Sequence, residues 1–198
     1  MSDQLKVWES DFGTAYTDRN KADWQARVPV FRRILDGLPI RRVLEVGCNR
    51  GHNLVALADL LGPEAEVVAV EPNQYARETA RASSPKIAVL RGNAYDLPFR
   101  DGYFDLAFTS GVLIHIPLAE LPVALREIHR VSSRYILAVE YFAAQETAIP
   151  YHGHAELLWK RDFPAHYRAF WPDLKTIRTG YIDTEANFDR MHWWLFEK

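Results

Sequence analysis

Short apolar runs alternate with amphipathic stretches over the first 140 residues of the chain. The runs predict strands at 42–46, 67–70, 87–90, 104–109 and 135–139. Apolar positions three or four residues apart predict helices at 22–36, 51–61, 73–82 and 119–131. Strands that are apolar at nearly every position are buried on both faces, so this alternation predicts a parallel sheet covered by helices on each side.

The pattern changes in the last 58 residues. A helix is predicted at 162–170, followed by two strands at 175–182 and 191–197 with no helix between them. Strands joined without a crossover helix pair antiparallel, so these two should close the sheet edge. The prediction is a single α/β domain, residues 1–198, with a mostly parallel sheet of seven strands.

Composition restricts the function more than the fold. The chain has 24 basic and 26 acidic residues, a net charge of −2, which argues against a protein that coats nucleic acid. Its single cysteine, Cys48, fits a reducing compartment, and neither a secretory signal nor a membrane span is visible. We therefore expect a cytoplasmic protein with no nucleic-acid or membrane partner, working as a monomer or homodimer.

Aromatic residues are unevenly distributed. Of 25 aromatic residues, 13 lie in segment 141–198, together with four of the seven histidines. We expect three parts within the domain: an N-terminal helical lid and first helix at 1–38, a cofactor-binding core at 41–140, and an acceptor-side loop with closing strands at 141–198.

The turn after the first strand carries the first candidate site. It reads Glu45-Val46-Gly47-Cys48-Asn49-Arg50-Gly51, and the Gly-x-Gly-x-x-Gly fingerprint of dinucleotide-binding folds fails there at two of three positions. Glu-x-Gly-x-x-x-Gly instead resembles the loop that receives the amino-acid end of S-adenosylmethionine. A tight strand-to-helix turn explains the glycines equally well.

Two further turns carry groups suited to a nucleoside. Glu71 ends the second strand, where a carboxylate can accept hydrogen bonds from both ribose hydroxyls; an acid near a helix N-terminus is the alternative. Asn93 and Ala94 follow the third strand and suit an adenine edge, although Asn93 could equally form an ordinary Asx-turn.

Small residues follow the fourth strand. The order and spacing of these four post-strand turns, within segment 41–139, resemble those of class I S-adenosylmethionine-dependent methyltransferases. The resemblance implies a Rossmann-like fold and S-adenosylmethionine as cofactor. The Asn/Asp-Pro-Pro-aromatic motif of nucleic-acid amino-methyltransferases is missing. Carried onto matching positions, the resemblance implies cofactor contacts at Tyr16, Arg19, Asn20, Glu45, Gly47, Asn49, Gly51, Asn53, Glu71, Pro72, Asn93, Ala94, Thr109, Gly111 and Val112.

A narrower likeness spans nearly the whole chain. Segments 7–20, 109–116, 135–141, 150–154, 160–163 and 194–198 resemble the pseudaminic acid biosynthesis-associated methylases. That family name records association with an acidic-sugar pathway and does not fix the acceptor. Segment 182–190 departs from the family pattern, so the substrate could differ if this segment borders the acceptor pocket.

Four residues are candidates for proton transfer. His115 follows the fourth strand and has a pKa suited to a general base, although a buried structural histidine is the commoner case. His152 and His154 flank Gly153 on the expected acceptor loop, and Glu140 ends the fifth strand. His-x-His without further ligands does not suffice for a metal site, so we expect none.

Aromatic and basic side chains are the candidates for holding the acceptor. They are Tyr16, Tyr141, Tyr151, Lys160 and Arg161. The last two could hold a carboxylate or phosphate. Trp8, Phe12 and Tyr16 fall on one face of a predicted helix; we expect Tyr16 to belong to a lid over the cofactor, and Trp8 and Phe12 to the core.

The sequence thus predicts a methyltransferase that uses S-adenosylmethionine to methylate oxygen or nitrogen of a small polar metabolite, sugar-like or amino-bearing. Two alternatives stay open at this point. One is a protein side-chain methyltransferase, and the other a catalytically silent module that binds the cofactor. A nicotinamide oxidoreductase is opposed by the broken fingerprint.

Overall fold

The computed structural model of the chain describes residues 3–153 and 156–198. The strands are Arg42–Val46 (β1), Glu66–Glu71 (β2), Ala88–Arg91 (β3), Phe104–Ser110 (β4), Ser132–Glu140 (β5), Thr147–Ala148 (β6), Trp159–Lys160 (β7), Lys175–Ile182 (β8) and Met191–Glu197 (β9). The α-helices are Asp3–Glu9 (α1), Asp11–Arg19 (α2), Val28–Leu35 (α3), His52–Leu61 (α4), Gln74–Ser83 (α5), Leu121–Val131 (α6) and Phe163–Phe170 (α7). Short 3₁₀ turns lie at Gln25–Arg27, Leu113–His115 and Glu185–Asn187.

Seven strands form one sheet in the order β3-β2-β1-β4-β5-β9-β8. The first five run parallel, and β9 inserts antiparallel between β5 and β8. The strand order reverses beside β1, where the adjacent carboxyl ends of β1 and β4 open the crevice that binds ligands in such sheets. The predicted Rossmann-like sheet with an antiparallel closing strand is confirmed.

Helices cover both faces of this sheet, as the apolar strands require. One face packs Phe31 of α3 and Leu57 of α4 against Leu106 and Trp193. The other packs Ile128 of α6 and Tyr167 of α7 against Leu44. Consecutive strand residues point to opposite faces, so β1 contributes Val43 to the first cluster and Leu44 to the second.

Two helical expectations need correction. The predicted helix at 22–36 is a 3₁₀ turn followed by α3, which starts at Val28 with a proline in its first turn. The single helix expected to carry Trp8, Phe12 and Tyr16 is two helices, α1 and α2. Ser10 separates them, and its side-chain oxygen accepts a hydrogen bond from the backbone N–H of Phe12 to cap α2.

The stretch between β5 and α7 had no predicted structure. It includes a two-stranded antiparallel pair, β6 with β7. In the described ranges, no helix is long and apolar enough to cross a membrane.

Candidate functional site

A cavity of about 530 Å³ lies beyond the carboxyl ends of the parallel strands, within the range of small-molecule sites. Its wall combines the turns after β1, β2, β3 and β4 with α1 and α2 and with loops from the C-terminal third of the chain. Every part of the sheet edge where a ligand is expected therefore contributes to a single site.

The turn after β1 depends on its glycines. Gly47 has φ +77°, a conformation that side chains disfavour, and a Cβ atom there would lie 2.6 Å from Cγ2 of Val112. Asn49 is also left-handed, at φ +47°. Gly47 and Asn49 line the cavity, whereas Gly51 lies behind it, where a Cβ atom would meet Ala80 at 3.2 Å. Gly51 shapes the turn and does not border the cavity, contrary to its expected cofactor contact.

Glu71 holds two turns together at the cavity wall. Its carboxylate accepts hydrogen bonds from the backbone N–H groups of Asn49 at 2.8 Å and Asn73 at 2.9 Å. Burial raises the pKa of Glu71, while these amides and Arg77 favour its charged form. The carboxylate is thus fixed at the end of β2, and both Glu71 and Pro72 line the cavity.

A chain of three polar residues forms another part of the wall. The guanidinium of Arg27 donates to Oδ1 of Asn53, and Nδ2 of Asn53 donates to Oε1 of Glu45 at 2.7 Å. Oε2 of Glu45 is buried without a hydrogen-bond partner, and burial raises the pKa of this residue to about 8. An unpartnered buried carboxylate oxygen suits a cationic ligand group such as the ammonium of S-adenosylmethionine.

The turn after β3 lines the cavity through Asn93, Ala94 and Tyr95. Oδ1 of Asn93 accepts from the backbone N–H of Tyr95 at 2.8 Å, so the Asx-turn anticipated as an alternative is present. The turn places Ala94 and the Asn93 backbone at the wall without excluding a nearby adenine.

The segment after β4 reaches the cavity through Ser110, Gly111 and Val112. Thr109 does not: its side chain is buried within the sheet and does not border the cavity. The expected cofactor contact at Thr109 is therefore wrong by one residue, because the strand continues to Ser110.

His115 lies in the 3₁₀ turn after β4 and borders the cavity. Its Nδ1 is 2.6 Å from the carbonyl oxygen of Leu157, and its ring centroid lies 4.6 Å from that of Trp8 and 5.3 Å from that of Tyr151. A carbonyl only accepts, so Nδ1 carries the proton and Nε2 carries a lone pair. Burial lowers the pKa of His115 to about 4, which keeps the imidazole neutral at physiological pH.

Helices α1 and α2 cover the cavity with aromatic residues. Trp8 packs edge-on against Tyr16 at 5.3 Å, and both line the cavity together with Arg19 and Asn20. Trp8 was expected in the core. Because the helix breaks at Ser10, α1 instead places the Trp8 indole against the His115 ring. Phe12 lies beside Tyr151 at 6.4 Å and does not border the cavity.

The acceptor loop contributes Tyr151 and His152, and β5 is followed by Tyr141; all three line the cavity. His154 lies outside the described residues. Within the ranges that the structure describes, no group of three His, Cys, Asp or Glu side chains is arranged to hold a metal ion.

Glu140 does not reach the cavity. It is fully buried, and its carboxylate accepts from the backbone N–H groups of Val112, Leu113 and Ile114 at 3.2, 3.2 and 3.3 Å. Burial raises its pKa to about 7. Its expected catalytic role is replaced by a structural one, because it caps the turn that carries His115.

Lys160 and Arg161 are also misassigned as acceptor ligands. Arg161 is buried and donates to the carbonyl oxygens of Leu113 and Ile116 and to Glu146. Lys160 lies over the Tyr141 ring, 5.5 Å from its centroid, outside the cavity lining. Neither side chain lines the cavity, so neither is placed to hold an anionic acceptor there.

Several lining residues were missed by the sequence reasoning. The most informative are Arg27, Asn73, Phe188, Asp189 and Met191. The departure of segment 182–190 from the family pattern was the available signal for Phe188 and Asp189. Nothing local marks Arg27, which lies in the 3₁₀ turn before α3 and meets residues 186–188 only in the folded chain.

Comparison with known proteins agrees with this geometry. Residues 43–134 match a family model described as a methyltransferase domain, and this segment holds β1 to β4 with their turns. This segment is thus similar to a methyltransferase domain, and the match covers a little under half of the chain. The chain matches the demethylmenaquinone methyltransferase of Staphylococcus aureus at 29% identity over 106 residues, covering 50% of this chain and 43% of that protein.

Solved structures extend the likeness to nearly the whole chain. The 1,6-didemethyltoxoflavin-N1-methyltransferase of Burkholderia thailandensis, solved with S-adenosylhomocysteine, superposes with a TM-score of 0.71 at 18% identity, covering 98% of this chain and 88% of that one. The magnesium protoporphyrin IX methyltransferase of Synechocystis, also solved with S-adenosylhomocysteine, gives a TM-score of 0.73 at 15% identity, covering 98% and 97%. At these identities the likeness shows that the chain shares the fold of two proteins solved with S-adenosylhomocysteine.

The curated relatives are longer proteins. The chain spans less than half the length of the first ones it matches, between 28% and 43%. The shared part covers 46–50% of this chain, so these relatives do not identify the acceptor.

Proposed function

We propose that this protein transfers a methyl group from S-adenosylmethionine to an oxygen or nitrogen atom of a small polar metabolite, sugar-like or amino-bearing. The observation that carries the proposal is one cavity in which the Gly47 turn and Glu71 face the same space as His115. A cofactor end and a proton acceptor thus share one site.

The cofactor end uses groups already fixed by the protein. Glu71 would accept hydrogen bonds from the ribose hydroxyls, and the Gly47 turn lets the amino-acid end approach the backbone. Oε2 of Glu45 is suited to the ammonium group of that end, and Asn93 with Ala94 to the adenine. Tyr16, Arg19 and Asn20 would close over the cofactor from α2 and the residue after it.

When bound, the cofactor supplies an electrophilic methyl group on a cationic sulfur. The protein's task is to align the acceptor atom with that methyl and to exclude water, and positioning of this kind contributes roughly 7–11 kcal/mol to lowering a barrier. Aromatic faces of Tyr16, Tyr141 and Tyr151 surround this part of the cavity and favour the cationic sulfur by about 0.5–2 kcal/mol each.

His115 is the proposed general base. An acceptor hydroxyl or amine would have to lose a proton when the bound cofactor methylates it. The acceptor's proton passes to Nε2 of His115, whose tautomer is set by the hydrogen bond from Nδ1 to Leu157. Glu140 positions this histidine through the backbone of residues 112–114, and His152 and His154 are the further candidates for contact with the acceptor.

The walls of the cavity favour a small acceptor. Rings from α1, α2 and the acceptor loop surround the cavity, which suits a small molecule better than a side chain on a protein surface. The likeness of six segments to the pseudaminic acid biosynthesis-associated methylases supports a sugar-like acceptor. With a net charge of −2, the protein has no excess positive charge with which to bind nucleic acid. We propose that it works in the cytoplasm as a monomer or homodimer.

The test is methyl transfer itself. Purified protein is incubated with methyl-labelled S-adenosylmethionine and a fractionated metabolite extract, and mass spectrometry identifies any compound that gains the label. A labelled small molecule absent from the His115→Ala reaction supports the proposal. A label found only in protein supports the side-chain alternative, and tight cofactor binding with no labelled product in any fraction supports the silent module.

A further inference from the structure

An unpaired carboxylate lies among the residues that line the cavity. Oδ2 of Asp189 accepts a hydrogen bond from the hydroxyl of Tyr141 at 2.6 Å. Oδ1 receives no hydrogen bond, and no Lys, Arg or His in the described part of the chain forms an ion pair with this residue. Its neighbour Arg190 is engaged with Asp183 at 3.5 Å. Asp189 therefore keeps a free oxygen at the cavity.

The loop that carries Asp189 is held by the protein. Arg27 donates to the carbonyl oxygens of Ala186 at 3.3 Å and Asn187 at 3.2 Å, and its guanidinium lies 4.3 Å from the centre of the Phe188 ring. Arg27 thus links the Asn53–Glu45 wall to the loop that ends in Asp189. The carboxylate stands in a fixed relation to the cofactor end.

Three tyrosines line the same cavity as this carboxylate: Tyr16, Tyr141 and Tyr151. The Tyr141 hydroxyl is in direct contact with Asp189, and burial together with this hydrogen bond raises the pKa of Tyr141. Tyr151 in turn packs 5.3 Å from His115. A carboxylate beside several tyrosine faces is the arrangement with which proteins bind organic ammonium ions.

The competing arrangement would be a cationic grip on an anion. The expected anion ligands, Lys160 and Arg161, do not line the cavity. Arg19 does line it, and our proposed function assigns it to the cofactor. Among the described residues, the charge that this assignment leaves for the acceptor is the negative charge of Asp189.

We propose that the acceptor is recognised through an ammonium group, bound between the Asp189 carboxylate and the rings of Tyr141 and Tyr151. This inference rests on the proposed function, since it treats this end of the cavity as the acceptor site. Asp189 and Tyr141 are specificity-determining residues, and the ammonium group is a recognition handle that selects amino-bearing acceptors over neutral or anionic ones.

The test uses probes rather than the unknown acceptor. The full chain is saturated with S-adenosylhomocysteine and titrated calorimetrically with choline, with its uncharged isostere 3,3-dimethyl-1-butanol, and with acetate. Since a cation held by a carboxylate and aromatic faces gains at least ~1.4 kcal/mol over its isostere, we expect choline to bind about tenfold or more tightly. Acetate should show no binding.

Two matched variants locate the effect. Asp189→Asn should reduce choline affinity about tenfold and leave dimethylbutanol and S-adenosylhomocysteine affinities unchanged. Asp183→Asn makes the same charge change in the same loop, outside the cavity lining, and should leave choline affinity unchanged.

The outcomes are separable from those of the proposed function. Equal affinities for choline and its isostere in the wild-type protein, or binding of acetate in preference to choline, would overturn this inference while cofactor binding stands. Absence of S-adenosylhomocysteine binding would instead overturn the proposed function. The comparison of probes uses only the wild-type chain, so its result does not depend on whether any variant folds.

Discussion

The two ends of the cavity are built differently. The cofactor end comes from consecutive turns after β1, β2 and β3, and its polar groups are tied to nearby backbone, as Glu71 is to Asn49 and Asn73. The acceptor end assembles Trp8, His115, Tyr151 and Asp189 from four distant parts of the chain, largely through ring contacts. The first can be recognised in a sequence motif, whereas the second exists only in the folded protein.

Replacing His115 should have the largest effect, and it should change turnover at the acceptor end without changing binding at the cofactor end. His115→Ala is expected to lower turnover by about 10²–10⁴ because the proton acceptor is lost, while S-adenosylhomocysteine affinity stays within about threefold. Steady-state kinetics and calorimetry measure the two quantities. His129→Ala is the control, because His129 stacks on Trp171 at 3.9 Å away from the cavity. Unchanged turnover in His115→Ala would remove the histidine from the mechanism.

Replacing Glu71 should have the opposite result, since it should weaken binding at the cofactor end. Removing hydrogen bonds to a charged group costs about 1.5–3 kcal/mol, so Glu71→Ala should weaken S-adenosylhomocysteine binding roughly 10- to 100-fold. Glu66→Ala, at the other end of β2 and bonded to Tyr103, is the control and should bind the ligand normally. Equal affinities of the two variants in calorimetry would contradict the ribose assignment.

A smaller change is expected from the turn after β1. Gly47→Ala and Gly62→Ala both place a side chain at a left-handed position, which costs about 1–2 kcal/mol of stability in each case. Only at Gly47 does the new Cβ also meet Val112, at 2.6 Å; nothing lies within 4 Å of it at Gly62. Thermal melts should therefore show both losses, but calorimetry should show weaker cofactor binding for Gly47→Ala alone. Parallel affinities in both variants would mean that the turn does not touch the cofactor.

The pH profile tests the environment of the acceptor end. A general base works only when neutral, and burial lowers the pKa of His115 to about 4. The value of kcat/KM should consequently show no histidine inflection between pH 5.5 and 7.5, and activity should fall only as pH approaches 4. An inflection near 6.5 that disappears in His152→Ala would transfer the role of base to His152.

The smallest expected effect is that of metal removal. The described residues, 3–153 and 156–198, include no metal-ligand cluster, and alignment together with proton transfer suffices for the proposed chemistry. Turnover measured after EDTA treatment and gel filtration should equal that of the untreated protein. A loss restored by magnesium would contradict the metal-free mechanism.

The sequence predicted the sheet well because its signals are local. Apolar runs marked β1 to β5, β8 and β9. Glu45, Gly47 and Glu71 were singled out at the ends and turns of predicted strands, and all three line the cavity, while their role as cofactor contacts stays a prediction. The helical face through Trp8 failed because a capping serine breaks the helix at Ser10.

The charged residues of the acceptor half show why the remainder was missed. Glu140 and Arg161 were expected to face a substrate, but each is buried and binds backbone groups of the 3₁₀ turn and the residues around it, at 112–116. A sequence shows that a charge is present without showing whether it serves the fold or a ligand. Asp189 is the opposite case, a loop residue that was not singled out within the divergent segment 182–190 and that the fold brings to the cavity.

The most direct test of the account is calorimetric titration of the wild-type chain with S-adenosylhomocysteine, alongside Glu71→Ala and His115→Ala. We predict one binding site per chain, with affinity reduced in the first variant and preserved in the second. Absence of binding to the wild-type protein, or equal loss in both variants, would contradict a cavity divided into a cofactor end and an acceptor end.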